Sequence, residues 1–302
     1  MNDLIIETTG LTKAYKGHAA LRGLDLRVPR GSIFGFLGRN GAGKTTTIKT
    51  LMGLLRADSG TARVFGIPVT EGSASLGDSC IEVRRRIGFV TEDKELYPYM
   101  TVRQILRFLR PLFPKWRDEL ERRYLEMFEL PLDRKIPNLS KGMRSKLMLL
   151  LAISRGAELL ILDEPTDGLD PAATEDVLRE LVDIAASEGT TMFFSSHQLA
   201  EVELIADHIG IIDQGRMVAS GSLDEMKAQY QRLQVVFEET VQAPARWVDG
   251  VENVRQMGRV ISILASRNVD AIVEQARSLP GATVERFPVT LKEIFMEHVR
   301  GN

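Results

Sequence analysis

The sequence predicts an α/β protein with a mainly parallel sheet, a helical insertion, and a small α+β domain behind it. Three observations carry this reading. From Leu4 to about Gly221, short β-like runs alternate with longer helical patterns. Three apolar runs, Ser32–Leu37, Leu159–Leu162 and Thr191–Phe194, are each followed at once by small or charged residues. Buried parallel strands that open into functional loops look like this. Beyond about Arg232 the pattern shifts to short strands and two helices.

Composition sets the outer limits. The 302 residues are 44% hydrophobic and 26% charged, enough apolar material for a large core. Lys and Arg number 39 against 41 Asp and Glu, a net charge of -2, so no broad electrostatic footprint for nucleic acid is expected. The single cysteine, Cys80, excludes an intrachain disulfide and multi-cysteine zinc sites. Met1-Asn2-Asp3 lacks the basic and apolar regions of a secretory signal. Apolar runs such as Leu147–Ile153 fall far short of the roughly 20 residues of a membrane helix. The expectation is a cytosolic chain, in which anything that crosses a membrane is a separate subunit.

In chain order, residues 71–80 are the most loop-like stretch, and Arg84-Arg-Arg86 reads as a solvated surface rather than a nucleic-acid or anionic-lipid site. A helical texture occupies about 92–155. Thr101-Val-Arg-Gln104 is a capping box that opens a helix with Val102, Ile105, Leu106 and Leu109 at helical spacing. Pro111, Pro114, Pro131 and Pro137 then cut the segment into short helices and turns. The alternative is one long helical crossover. Ser222-Leu-Asp-Glu225 reads as another capping box. A second unit follows, with strands at Leu233–Glu238 and Arg259–Leu264, a helix at Val269–Leu279, a strand at Thr283–Phe287 and a helix capped by Thr290 with Glu293. The expected domains are 1–229 and 230–302.

Gly38-Arg-Asn-Gly-Ala-Gly-Lys-Thr45 fits the phosphate-loop pattern GxxxxGK[ST] and sits between a strand and a helix, as that motif requires. Its glycines let successive N–H groups of Gly38, Asn40, Gly41, Ala42 and Gly43, with Thr46 behind them, converge on phosphate oxygens at a helix N-terminus. Lys44 is placed to reach the terminal phosphates and Thr45 to ligate Mg²⁺. Asp163, ending the run Leu159–Leu162, supplies a carboxylate for the Mg²⁺ shell, and Glu164 one for a general base. A strand end that merely caps the next helix is disfavoured by Pro165. His197, after the third apolar run, ends on the same side of a parallel sheet. Leu139-Ser-Lys-Gly-Met143 opens a helix, where Ser140 and Gly142 offer a second anion site or simply an N-cap.

Together these residues resemble the nucleotide-binding subunit of an ATP-binding-cassette (ABC) transporter, over about residues 4–225. Gly38–Thr45 is similar to the Walker A loop, Leu159–Glu164 to Walker B, Leu139–Met143 to the signature, Gly168-Leu-Asp170 to the D-loop and His197 to the switch histidine. Tyr15 resembles the aromatic residue that stacks on adenine. The resemblance implies a P-loop NTPase (RecA-like) core, an N-terminal antiparallel β-subdomain and the helical insertion. It further implies a head-to-tail dimer that closes around ATP and Mg²⁺. Each ATP would lie between Lys44 of one copy and Ser140 and Gly142 of the other, with Asp170 nearby. A polytopic permease would meet a groove near Glu95–Met100, holding the chain peripherally on the cytoplasmic face of the membrane.

The signature departs from the commonest Leu-Ser-Gly-Gly-Gln at Lys141 and Met143, positions not expected to donate to phosphate. Glu92 stands where the family usually has the Q-loop glutamine; it keeps an oxygen for Mg²⁺ or water but loses the amide donor. The Lys-Gly-Met signature, the appended unit and the ending Phe287–Phe295 resemble the export-type, ABC-2-like branch with separate ATPase and permease chains. Competing readings are an importer ATPase, a soluble cassette acting on ribosomes or DNA, and a binding-only cassette. The single uninterrupted cassette and the intact Lys44, Asp163, Glu164 and His197 speak against the last two.

Overall fold

The computed structural model describes residues 3–70, 76–91, 96–239, 244 and 246–300. Two long strands, β1 (Leu4–Tyr15) and β2 (His18–Pro29), form an antiparallel ribbon. Then come β3 (Ile33–Leu37), α1 (Lys44–Leu51), β4 (Ser59–Val64) and β5 (Ile67–Pro68). β4 returns to pair with β1, giving the antiparallel sheet β2-β1-β4-β5. This is the N-terminal β-subdomain that the family resemblance implies.

The parallel core is completed by α2 (Leu76–Arg86), β6 (Ile87–Val90), α3 (Val102–Leu109), α4 (Asp118–Met127), α5 (Lys141–Ser154), β7 (Leu159–Asp163), α6 (Pro171–Glu188), β8 (Thr191–Ser195), α7 (Leu199–Ile205), β9 (His208–Asp213) and β10 (Arg216–Ser222). Sheet order is β10-β9-β3-β8-β7-β6. Every residue of β3, β7 and β8 is buried, as continuous apolar runs covered on both faces must be. Their register places Asp163 beside Ser195 and Ser195 beside Phe36, so three strands end together at one edge. That edge carries the site.

The helical insertion connects β6 to β7, which are direct parallel neighbours. The insertion and the crossover are therefore the same piece of chain. Thr101 caps α3 with both arms of its box formed, to Gln104 N–H at 3.2 Å and back from Gln104 Oε1 at 2.8 Å. Tyr124 of α4 is fully buried and donates to Glu180 Oε2 of α6 at 3.0 Å, while Arg123 holds Glu180 Oε1 at 2.8 Å. Burial, reinforced by the Glu180 charge, pushes the Tyr124 phenol well up, so it stays a hydrogen-bond donor at any ordinary pH.

Two local expectations are corrected. Leu76–Cys80 is helical rather than loop, because Cys80 and Val83 bury one turn apart and Asp78 sits in the favourable first turn; residues 71–75 lie outside the described residues. The arginine run is not a merely solvated surface. Arg84 donates to Met52 O at 3.2 Å, and Arg86 grips Glu158 at 3.2 and 2.7 Å with its guanidinium 3.9 Å from the Phe65 ring centre. Arg85 alone of the three is exposed.

The chain divides into two compact units after Ser220. The second contains α8 (Leu223–Ala228), β11 (Gln231–Phe237), β12 (Val251–Met257), β13 (Val260–Ala265), α9 (Val269–Arg277), β14 (Ala282–Phe287) and α10 (Leu291–Arg300). Its antiparallel sheet runs β12-β13-β11-β14, and Leu233, Val235, Phe237, Ile261 and Ile263 pack on Ile272, Val273 and Ala276 of α9. The ββαβα pattern thus gains β12, an edge strand whose polar sequence and register shift near Val251 hide its period. Thr290 and Glu293 form a reciprocal cap at 3.3 and 2.9 Å. Ser222 is the N-cap of α8 by position, but its side chain makes no cap bond, so the second expected box is not formed.

Candidate functional site

The phosphate loop leaves β3 at Leu37 and enters α1 at Lys44. Ala42 N–H closes a turn on Arg39 O at 3.0 Å, and Gly43 takes φ +115°. A Cβ at Gly43 would sit 2.7 Å from the Ala20 carbonyl and 2.9 Å from Leu21 Cδ2, so only glycine lets the loop pass the β2 strand here. Lys44 is buried, and its ammonium donates to Gly38 O at 2.7 Å and Arg39 O at 3.4 Å. These two bonds curl it back over the start of the loop.

A cavity of about 350 Å³ opens at this loop. Its walls are Tyr15, His18 and Ala20 on one side, Arg39, Asn40, Gly41, Gly43, Lys44, Thr45 and Thr46 along the loop, and Asp163 with Glu164 at the far end. That is the size range of small-ligand sites. Gly38 and Ala42 are buried and do not line it. Tyr15, at the end of β1, is half-exposed, with the Lys13 ammonium 5.8 Å from its ring centre. His18 was not singled out from the sequence. The signal was available in hindsight: the turn at Lys16-Gly17 pairs it directly with Tyr15.

The acidic end is built by two neighbouring strands. Asp163 Oδ1 accepts from Ser195 Oγ at 2.5 Å, and its Oδ2 accepts from Thr45 Oγ1 at 3.3 Å. Glu164 follows in a left-handed conformation, φ +51°, with its N–H on Ser195 O at 3.1 Å. This kink turns the carboxylate back across the strand ends, where Oε2 lies 2.8 Å from His197 Nδ1 and 3.3 Å from His197 N. Burial pushes the Glu164 carboxyl above the usual range, partly opposed by His197 and then Lys44. A carboxylate raised toward working pH and oriented by a histidine suits a general base.

Behind this pair stands a residue that sequence reasoning missed. Glu201 of α7 is buried and accepts from Thr166 Oγ1 at 2.7 Å and Ser196 Oγ at 3.2 Å. It therefore ties the segment after Glu164 to the segment before His197. A carboxylate in the first turn of the helix that follows His197 was the available hint.

The signature residues stand apart from this cavity. Ser140 caps α5, accepting from Met143 N–H at 3.1 Å, and neither Ser140 nor Gly142 lines the cavity. Asp170 caps α6 through Ala173 N–H at 2.9 Å, a bond that holds its carboxyl below the usual range; it too is absent from the lining. Glu92 lies outside the described residues, as does Glu95.

A family model described as ABC transporter matches residues 21–167, and one described as AAA domain, putative AbiEii toxin, Type IV TA system, matches residues 132–203. The ABC transporter ATP-binding protein YtrB of Bacillus subtilis (strain 168) is 29% identical, over 98% of this chain and 99% of its own length. The daunorubicin/doxorubicin resistance ATP-binding protein DrrA of Streptomyces peucetius is 42% identical, over 74% of this chain and 67% of its own. The chain belongs to the ABC transporter ATP-binding family. A solved ATP-binding subunit of an ABC transporter shares its fold with TM-score 0.67 and 32% identity, covering 74% of this chain and 92% of that one. As an ABC cassette the protein is an ATPase.

The donor set also fits a magnesium ion. A Thr45 hydroxyl and an Asp163 carboxylate oxygen converge at 3.3 Å, both on the wall of the cavity. Mg²⁺ takes hard oxygens, keeps several waters and uses one or two protein ligands plus substrate phosphates. No helix among the described residues is long and apolar enough to cross a membrane.

Proposed function

We propose that this ABC ATPase powers a separate membrane permease of the export type, and that two copies close head to tail around ATP and Mg²⁺. The observation that carries the paired arrangement is the composition of the cavity. Lys44, Thr45, Asp163 and Glu164 line it, whereas Ser140 and Gly142 of the same chain do not. A second copy would bring these signature residues to the γ-phosphate, with Asp170 near the seam. Tyr15 would stack on the adenine and Lys44 would exchange its bonds to Gly38 O and Arg39 O for phosphate oxygens. Thr45 and Asp163 would hold Mg²⁺, which neutralises charge on the phosphates when bound.

Glu164, oriented by His197, accepts a proton from the attacking water as its oxygen bonds to the γ-phosphorus and the bond to the β-phosphate oxygen breaks. ADP and inorganic phosphate result. Export is supported by DrrA, a drug-resistance protein 42% identical over 74% of this chain. YtrB, similar over nearly the whole chain, supports one architecture that includes the C-terminal unit. A permease meeting the exposed Tyr97 and Tyr99 would hold the subunit peripherally on the cytoplasmic face.

The test is to purify the tagged full chain from its native cells in mild detergent and identify by mass spectrometry what accompanies it. A stoichiometric polytopic membrane protein is expected. Recovery of soluble partners alone, such as ribosomal proteins, under conditions that preserve a control membrane complex, would overturn the transport half of the proposal.

A further inference from the structure

Lys141 occupies the third position of the signature, a position not expected to donate to phosphate. The structure gives it a partner. Its ammonium lies 3.0 and 2.8 Å from the two carboxylate oxygens of Asp167, three residues after Glu164. Its aliphatic stem crosses Gly168, where a Cβ would fall 2.7 Å from Lys141 Cγ. Gly142 approaches the same segment, since a Cβ there would lie 2.9 Å from Gly168 O. Ser145, a turn further along α5, donates to Asp167 O at 2.9 Å. The start of the signature helix thus clasps residues 167 and 168.

Asp167 is in turn bonded to the base-bearing turn. Its N–H donates to Glu164 O at 3.2 Å, and Leu169 N–H donates to Thr166 O at 3.0 Å. On the opposite side Glu201 holds Thr166 at 2.7 Å. The turn that carries Glu164 is therefore gripped from α7 on one flank and from α5 on the other. It needs gripping, because Glu164 holds a left-handed φ of +51° that the chain does not favour by itself.

We propose that Lys141 is a positioning residue for ATP hydrolysis: through Asp167 it fixes the turn that sets where the Glu164 carboxylate stands. The proposal rests on the reading of Glu164 as the base. Fold stability is not what the pair supplies, since the side chains are 61% and 32% exposed and such pairs are screened by water. Its contribution is geometric, and a displacement near 1 Å at a catalytic group can cost about a hundredfold in rate.

The experiment measures steady-state ATP hydrolysis by the full chain, affinity for a fluorescent ATP analogue, and thermal midpoint. The variants are Lys141→Met, Lys141→Arg, Asp167→Asn and the exchange Lys141→Asp with Asp167→Lys. Lys141→Met and Asp167→Asn are expected to lower kcat by about fivefold or more with nucleotide affinity unchanged within about twofold. Their thermal midpoints should stay within about 2 °C, as loss of an exposed pair implies. Lys141→Arg keeps most of the rate, and the exchange recovers activity above either single variant. A Lys141→Met kcat within about twofold of the parent overturns the proposal, as does an exchange no better than the singles. A rate loss that tracks a fall in thermal midpoint also overturns it, because the role is then structural. Glu164→Gln, assayed alongside, separates the two readings. If it turns over normally, the base assignment fails; if it is inactive while Lys141→Met is normal, only the clasp fails.

Discussion

Glu164→Gln is expected to lower ATP turnover by about 10²–10⁴-fold while leaving nucleotide affinity nearly intact, the range for losing a general base. The substitution keeps the shape of the side chain and its contact with His197, at 2.8 Å in the parent, but cannot accept a proton from water. The left-handed backbone at position 164 is unchanged, so the loss falls on kcat rather than on folding. Single-turnover phosphate release at saturating ATP gives the answer directly. A rate within about threefold of the parent would remove Glu164 from the base role.

The second large effect is expected at Lys44. Replacing it with methionine keeps most of the buried stem but removes the one ammonium that reaches from α1 over the phosphate loop. A hydrogen bond to a charged group contributes about 1.5–3 kcal/mol, and in the proposed complex Lys44 would bond more than one phosphate oxygen, so kcat/KM should fall by about two orders of magnitude or more. Arginine is not expected to rescue it. The ammonium bonds Gly38 O at 2.7 Å inside a tight loop, where a planar fork has neither the space nor the point-charge geometry. Fluorescent-nucleotide titration alongside the rate distinguishes lost binding from lost chemistry, and ordinary affinity with an ordinary rate would refute the assignment.

Much of the site was legible because its signals are local. The phosphate loop, the apolar runs before Asp163 and His197, and the boxes at Thr101 and Thr290 each lie within a few consecutive residues, and each formed where its pattern indicated. What remained hidden depends on partners distant in sequence. Glu201 becomes informative only when Thr166, 35 residues away, is seen against it. Lys141 looks neutral until Asp167 is placed 26 residues on, and Arg86 looks solvated until Glu158 arrives, 72 residues later. Ser222 shows the reverse failure, a correct local pattern whose cap bond the surroundings did not complete. Strand β12 was obscured by lying at an edge, where half-exposed polar residues carry little period.

The backbone and burial of Glu164 set activity against durability at a single position. A left-handed φ in a non-glycine residue costs of order 1 kcal/mol, and the raised carboxyl adds an electrostatic penalty. The sign of that penalty follows from linkage. While folded and unfolded chains are both protonated it is nil; it grows as pH rises past the ordinary value of 4.5 and is complete above the native value. In nucleotide-free protein, Glu164→Gln should therefore resist urea better than the parent, by a margin that widens between pH 4 and pH 8; a margin that shrinks would contradict the buried charge. Selection for robustness alone would drift this position toward glutamine, asparagine or glycine. A glutamate there carries a standing cost to the fold, which the proposed role in turnover would account for.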